Sequence, residues 1–262
     1  MSFVRNKIIG NLNIIGIDLL KMGRFFKGLD FYLKDRKQLV QQKGLDNKFP
    51  MGSNKPMFED RFDASGAASG HYFHQDLVVA RKIHENKPLK HVDIGSRTDG
   101  FVAHVAVFRE IEVFDIRQQK SNVKNIVFKQ ADLMQLPENM HNYCDSVSAL
   151  HSIEHFGLGR YGDPIDYSGH ERAIQNITKV LKKDGVFYFS VPIGPQRINF
   201  NAHRVFSVKY LLELLKKDFE LKSFSYVNDK GDLVENITLN EENIQSNCGC
   251  QYGCGIFELV KK

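Results

Sequence analysis

Residues Asp145–Pro164 read DSVSALHSIEHFGLGRYGDP. Asp145–Leu150 suits a buried strand, and it runs directly into His151, Glu154 and His155, side chains that can bind protons, metals or hydroxyls. At positions i, i+3 and i+4, the three would share one face of a helical turn after the strand. Soluble proteins seldom need such a cluster for stability, so chemistry is expected where this strand ends.

On both sides of this stretch, helical and extended patterns alternate. Spacing and breakers predict helices over His74–Glu85, Phe101–Phe108, His170–Lys182 and Val208–Lys216, the third stopped by Lys183-Asp184-Gly185. Strands are predicted at Leu89–Gly95, Glu112–Ile116, Ile126–Ala131, Asp145–Leu150, Val186–Val191, Glu220–Val227 and Gly255–Val260. This alternation specifies an α/β fold, a doubly wound, seven-stranded, mostly parallel sheet with helices on both faces. The fold is assigned to residues 71–262, and residues 1–70 to an N-terminal helical extension and linker. In that extension Ile8, Leu12, Ile15, Leu19, Met22 and Phe26 recur at helical spacing over Met1–Lys43, and Asp46–Gly70 is rich in Gly, Pro, Asn and Ser.

With 262 residues, 42% hydrophobic content and a formal charge of +5, the chain reads as globular and mildly basic. That bias would help hold an anionic ligand, but it does not imply nucleic acid. Lys7, Asp18, Lys21 and Arg24 interrupt the N-terminal apolar residues, so neither a signal peptide nor a spanning helix is expected. The amphipathic pattern reads as a helical cap on the domain, or as a peripheral membrane contact through its basic face. Cys144 stands apart from Cys248, Cys250 and Cys254, poor arithmetic for disulfides and more consistent with a cytoplasmic location. The trio lacks paired C-x-x-C spacing and reads as small residues entering the last strand.

The strand ends hold the remaining signals. Asp93 closes the first strand, Gly95 allows a tight turn, and Gly100 opens the next helix. Asp115, about twenty residues later, stands where a carboxylate accepts from two ribose hydroxyls, and Asp132 stands at a third strand end where an adenine amino group could be read. NAD is the competing ligand, but G-x-G-x-x-G is absent.

Element order, Asp93-x-Gly95, Asp115, Asp132 and the final pair of strands resemble the class I S-adenosylmethionine-dependent methyltransferases over roughly Gln75–Lys262. The resemblance implies S-adenosylmethionine as cofactor, with Asp93, Gly95, Ser96, Arg97 and Gly100 facing its amino-acid part. Asp115 and Ile116 would then hold the ribose, and Asp132 and Leu133 the adenine. Ser96-Arg97-Thr98-Asp99 replaces part of the usual glycine loop, and Arg97 is the candidate for the methionine carboxylate. HYFHQDL (71–77), VDIGSRTDGFVAH (92–104), EHFGLGRYGDP (154–164), FNAHRVFS (200–207) and CGIF (254–257) resemble a bacterial methyltransferase-like family, domain of unknown function 268. Several of its members are associated with surface-polysaccharide loci. His71 and His74 with Asp76 would form a lid over the cofactor or cap the helix that begins there.

His151-x-x-Glu154-His155 also spells an inverted zinc-peptidase motif, but its place after a sheet strand argues against that chemistry. It is similar instead to the E-x-x-E-H of small-RNA 2′-O-methyltransferases, which resemblance implies a divalent metal held by His151, Glu154, His155 and His203. The softer donor set would suit manganese, iron or zinc at least as well as magnesium. Metal-assisted transfer, a lone histidine base, and a purely structural cluster all stay open, with His155, Glu154, His203 and His151 as catalytic candidates. Arg160, Tyr161 and Asp163, on a glycine-punctuated loop, and Arg204 beside His203 are candidates for a carbohydrate or sugar-phosphate acceptor. The expected activity is O-methylation of a sugar or sugar-phosphate hydroxyl in surface-glycan (capsule or lipopolysaccharide) biosynthesis. The alternative is a catalytically inactive binding or scaffold subunit of a glycan-synthesis assembly, which the altered glycine loop supports.

Overall fold

Apolar runs flanked by turn residues become the strands of one large sheet in the computed structural model, which describes residues 19–262 except 47, 59, 64, 121 and 137. The described chain divides into two compact units that part between Ala67 and Ala68. In the first, helix α1 (Leu19–Lys43) carries the described part of the predicted N-terminal helix; the pattern over Met1–Asp18 lies outside the described residues. The following segment is mostly irregular and exposed, as a loop or linker would be, and it touches the helix. Phe58 packs edge-on against Phe25 at 5.0 Å, and Gly28 makes room for it, since a Cβ there would stand 2.5 Å from the Phe58 Cβ. No described helix is long and apolar enough to cross a membrane.

The second unit runs α2 (His71–Asn86), β1 (His91–Ile94), α3 (Ala103–Ala106), β2 (Ile111–Asp115), β3 (Ile126–Gln130), β4 (Cys144–Leu150), α4 (Gly169–Val180) and β5 (Leu181–Ile193). A hairpin of β6 (Arg197–Asn199) and β7 (His203–Val205) follows, then α5 (Val208–Leu215), β8 (Phe219–Val227), β9 (Leu233–Val234), α6 (Glu241–Gln245) and β10 (Gly253–Lys261). The sheet order is β3-β2-β1-β4-β5-β10-β8-β9, with β10 antiparallel to both neighbours. All seven predicted strands are present, and the two-residue edge strand β9 makes eight. Strand order reverses between β1 and β4, which opens a crevice at their carboxyl ends.

Helices cover both faces because each buries one apolar stripe. On one face Ile174, Ile177, Leu211 and Leu215 pack on Val147, Phe187 and Phe189. On the other, Val79, Ile83, Phe101 and Val105 pack on Ile111, Val113 and Tyr188. Two helical expectations are corrected. The Phe101–Phe108 helix is a wide turn over Thr98–Val102 joined to the short α3, broken at Gly100, where a Cβ would stand 2.7 Å from the Asp76 Oδ2. The Lys183-Asp184-Gly185 signal does not end α4, which stops at Val180; Asp184, at φ 61°, instead makes an irregularity inside β5.

Candidate active site

Two clefts open at the reversal point. The first, about 550 Å³, is lined by Gly95, Asp115, Ile116, Asp132 and Leu133 at the ends of β1, β2 and β3, and by His151, His155, Tyr161 and Asp163 beyond β4. Phe114, Met134 and Phe156 add apolar walls. Gly95 has to be glycine: its φ is +69°, and a Cβ would press on the Ser152 Cβ at 3.2 Å. Asp132 accepts from the Met134 N–H at 2.9 Å. Asp115 is engaged by Arg117, whose Nη2 donates to Oδ2 at 2.7 Å and whose Nε and backbone N–H both donate to Oδ1. The Arg117 guanidinium also lies 4.3 Å from the centre of the Tyr161 ring.

Four predicted cofactor residues line neither cleft. Asp93 is fully buried and accepts from the Ser96 N–H (3.0 Å), Ser96 Oγ (2.7 Å) and Ser148 Oγ (2.6 Å), so it pins the loop after β1. Burial pushes its carboxyl up to about 6 in spite of those donors. Ser96 is buried as Asp93's partner. Arg97 forms an exposed ion pair with Asp99 at 2.8 Å rather than facing a carboxylate site. Gly100 serves the contact with Asp76 already described.

The expected helical turn after β4 is present but begins only at Ile153, after His151. His151 holds a left-handed φ of 49°, and Ile153–His155 forms a single tight turn. The compact path still gathers the three side chains. His151 Nδ1 lies 2.7 Å from Glu154 Oε1, and His155 Nε2 lies 3.8 Å from the same oxygen. Burial would raise the Glu154 carboxyl, but His151 outweighs it and holds it below the usual range. Burial would lower the His151 imidazole; Cys254 and Glu154 reverse this and hold it raised. His151 Nε2, Glu154 Oε2 and Ser152 Oγ are buried without hydrogen-bond partners.

The second cleft, about 750 Å³, is lined by Glu154, Arg160 and His203 together with His151, His155 and Tyr161. His71, Tyr72 and Tyr252 complete it. Sequence reading missed the two tyrosines as site residues; Tyr72, inside the HYFHQDL stretch, reaches the cleft from α2, and Tyr252, outside every quoted motif, from the turn before β10. His71 is placed in this wall; neither it nor His74 caps α2. Burial, with His151 nearby, holds the His71 imidazole down to about 4, and burial also lowers His155 and His203. Among the described residues, the predicted metal quartet of His151, Glu154, His155 and His203 does not converge. The one group whose ligand atoms lie within 4.8 Å of one another is His71, His151 and Cys254.

The loop candidates divide. Arg160 reaches the second cleft and donates to the Ala202 carbonyl at 2.9 Å. Asp163 accepts from the backbone N–H groups of Gly157, Gly159 and Tyr161, so its carboxylate fixes the loop. Arg204 is buried away from both clefts, and its guanidinium donates to the carbonyls of Phe156 (2.6 Å) and Tyr167 (2.9 Å), with longer bonds to Glu154 and Asp166. It braces the loop and is not placed to bind phosphate. Arg204→Met is expected to cost about 2 kcal/mol, because the partly buried carbonyls of Phe156 and Tyr167 lose a charged donor at roughly 1 kcal/mol or more each. Thermal unfolding checks this, and an unchanged melting temperature would count against the bracing role.

A family model described as "Caenorhabditis protein of unknown function, DUF268" matches residues 100–252, more than half of the chain. The chain belongs to this family. In this DUF268 chain, the matched span contains the whole segment after β4, the β6–β7 hairpin and Tyr252, but stops short of Cys254. A comparison with curated proteins finds no match. Among solved structures, the Burkholderia thailandensis 1,6-didemethyltoxoflavin-N1-methyltransferase with bound S-adenosylhomocysteine is similar at 16% identity, over 72% of this chain and 78% of that one, with a TM-score of 0.51. The N-methyltransferase NodS from Bradyrhizobium japonicum WM9 is 12% identical over 80% and 93%, with a TM-score of 0.48. At 16% identity the likeness to the first of these is one of fold, and the DUF268 chain has the class I methyltransferase fold.

Proposed function

We propose that the chain is an S-adenosylmethionine-dependent O-methyltransferase acting on a hydroxyl of a sugar or sugar phosphate. The observation that carries this reading is that the two clefts share a wall made by His151, His155 and Tyr161. A cofactor in the first and an acceptor in the second would meet across that wall, which is the arrangement group transfer needs.

The first cleft fits the cofactor: Asp115 and Asp132 supply acceptors for ribose and adenine, and Phe114, Ile116, Leu133 and Met134 supply apolar walls. When bound, S-adenosylmethionine would supply an electrophilic methyl group. The chain's own task is to take the acceptor's proton, and His155 is built for it. Its Nδ1 faces the Ala202 carbonyl at 2.6 Å, which fixes the tautomer with the proton on Nδ1 and leaves the Nε2 lone pair free. Glu154, 3.8 Å from Nε2, stabilises the imidazolium that forms. Arg160 and the tyrosines of the second cleft suit a hydroxylated, partly anionic acceptor. The placing of that acceptor in surface-glycan synthesis is supported by the family resemblance alone.

One observation favours the non-catalytic alternative: Arg117 occupies Asp115 in the manner a ribose would. Calorimetric titration with S-adenosylhomocysteine separates the two readings, since absence of binding would remove the enzyme reading. Asp115→Ala is expected to weaken that binding about 10- to 150-fold, the equivalent of roughly 1.5–3 kcal/mol for hydrogen bonds to a charged group. Incubation with labelled cofactor and a panel of sugars and sugar nucleotides, read by mass spectrometry, would then identify the acceptor. Label appearing only on nitrogen would contradict the O-methyl assignment.

A further inference from the structure

We propose that His71, His151 and Cys254 form a transition-metal site at the inner wall of the second cleft. The three come from separate parts of the fold: the first residue of α2, the residue after β4, and the second residue of β10. One ligand atom from each lies within 4.8 Å of the other two. Around a tetrahedral zinc ion, with metal–nitrogen bonds near 2.0 Å and metal–sulfur near 2.3 Å, the atoms of a set with one sulfur stand about 3.3–3.5 Å apart. The cluster therefore has to contract by no more than about 1.5 Å to reach that spacing.

A second observation points to a ligand. His151 is buried, its Nδ1 is held by Glu154, and its Nε2 has no hydrogen-bond partner. Buried polar atoms are nearly always paired, so an imidazole nitrogen without a partner beside a cysteine and a second histidine points to an occupant. A carboxylate on one ring nitrogen with the other left free is how proteins orient a metal-binding histidine. The left-handed φ of 49° at His151, uncommon for a residue other than glycine, keeps the ring in that place. Cys254 is wholly buried; its Sγ lies 3.6 Å from Gln75 Oε1, which also accepts from Ser190 Oγ at 2.6 Å, so loss of the thiol proton leaves Gln75 satisfied.

One thiolate with two imidazoles is a borderline-soft set that suits zinc or iron(II) and disfavours magnesium. Three protein ligands leave a fourth position, as in catalytic rather than structural zinc sites, and His71 and His151 both face the second cleft. The inference deepens the methyl-transfer reading, on which it rests for the role of that fourth position in holding an acceptor oxygen; the site itself does not depend on it. Of the four ligands expected from sequence, His151 stays a ligand and Glu154 becomes the group that orients it.

The test is titration of the full chain with cobalt(II) under reducing conditions, followed by absorption spectroscopy. One equivalent is expected to give four-coordinate cobalt bands and a thiolate-to-cobalt charge-transfer band, both removed by zinc. The charge-transfer band should vanish in Cys254→Ser. In His71→Ala, at a partly exposed helix start less prone to misfolding, cobalt affinity should fall by more than the ~10–100-fold typical of an outer-shell partner. Circular dichroism melting shows that each variant is folded. A folded wild-type chain without the band, or a band that persists in Cys254→Ser, overturns the proposal. Cobalt binding as described in a chain that does not bind S-adenosylhomocysteine would keep the metal site and sink the methyltransferase reading instead.

Discussion

Gly157→Ala is expected to destabilise the sheet-bearing unit by about 3 kcal/mol and to abolish function at both clefts. Gly157 lies at φ +76°, a region that costs an alanine roughly 1–2 kcal/mol. A Cβ there would stand 2.0 Å from the backbone oxygen of Asp166 and 2.9 Å from its carbonyl carbon, so no side chain can yield, and overpacking adds roughly 1–3 kcal/mol. The same residue ties the loop at both ends: its N–H donates to Asp163 Oδ2 at 2.8 Å, and its carbonyl accepts from the Asp166 N–H at 3.0 Å. Loss of this closure would free Tyr161, which lines both clefts. At roughly 2–4 °C per kcal/mol for a unit of this size, the melting temperature should fall by about 6–12 °C. A shift of less than about 2 °C would show that the loop relaxes and that the contact is not structural.

His155→Ala is expected to lower kcat about 10²–10⁴-fold, the range for removing a positioned general base, with little change in affinity for S-adenosylhomocysteine. The split matters, because a variant that lost affinity and rate together would point to a misplaced cleft rather than a missing base. The pH profile supplies an independent check. Burial lowers the His155 imidazole below its ordinary value of about 6.5. The base is then neutral and active at neutral pH, and kcat/KM should decline only on the acid side, with its midpoint below about 6.5. An acid limb centred above that value, or one that survives in His155→Ala, would remove His155 from the role.

The sheet was legible because each of its seven main strands is an apolar run bounded by turn residues, a pattern that survives without knowledge of partners. Leu233–Val234 was not, since two residues at an edge leave no periodicity to read. At the candidate site, which residues lie near one another was easier to read than where their side chains point. His151, Glu154 and His155 do gather, yet through a left-handed histidine and one tight turn, and nothing in a histidine's chemistry announces a positive φ. Asp163 and Arg204 looked like ligand-binding charges, but their partners are backbone N–H and C=O groups, which sequence does not display. Cys254 and Tyr252 were not read as neighbours of this cluster, because the pairing of β10 with β5 brings Cys254 opposite Pro192, a registration between distant parts of the chain.

Arg117 has a consequence for the order in which ligands are held. Its guanidinium grips Asp115 in the first cleft and covers Tyr161, one of the residues that line both clefts. On the methyl-transfer reading, a ribose that took Asp115 would compete with that grip, and the released arginine would change the face that Tyr161 offers to the acceptor. Occupancy of one cleft would then alter affinity at the other, and linkage requires the factor to be the same in both directions. Cofactor and acceptor affinities measured separately would in that case not describe the ternary complex.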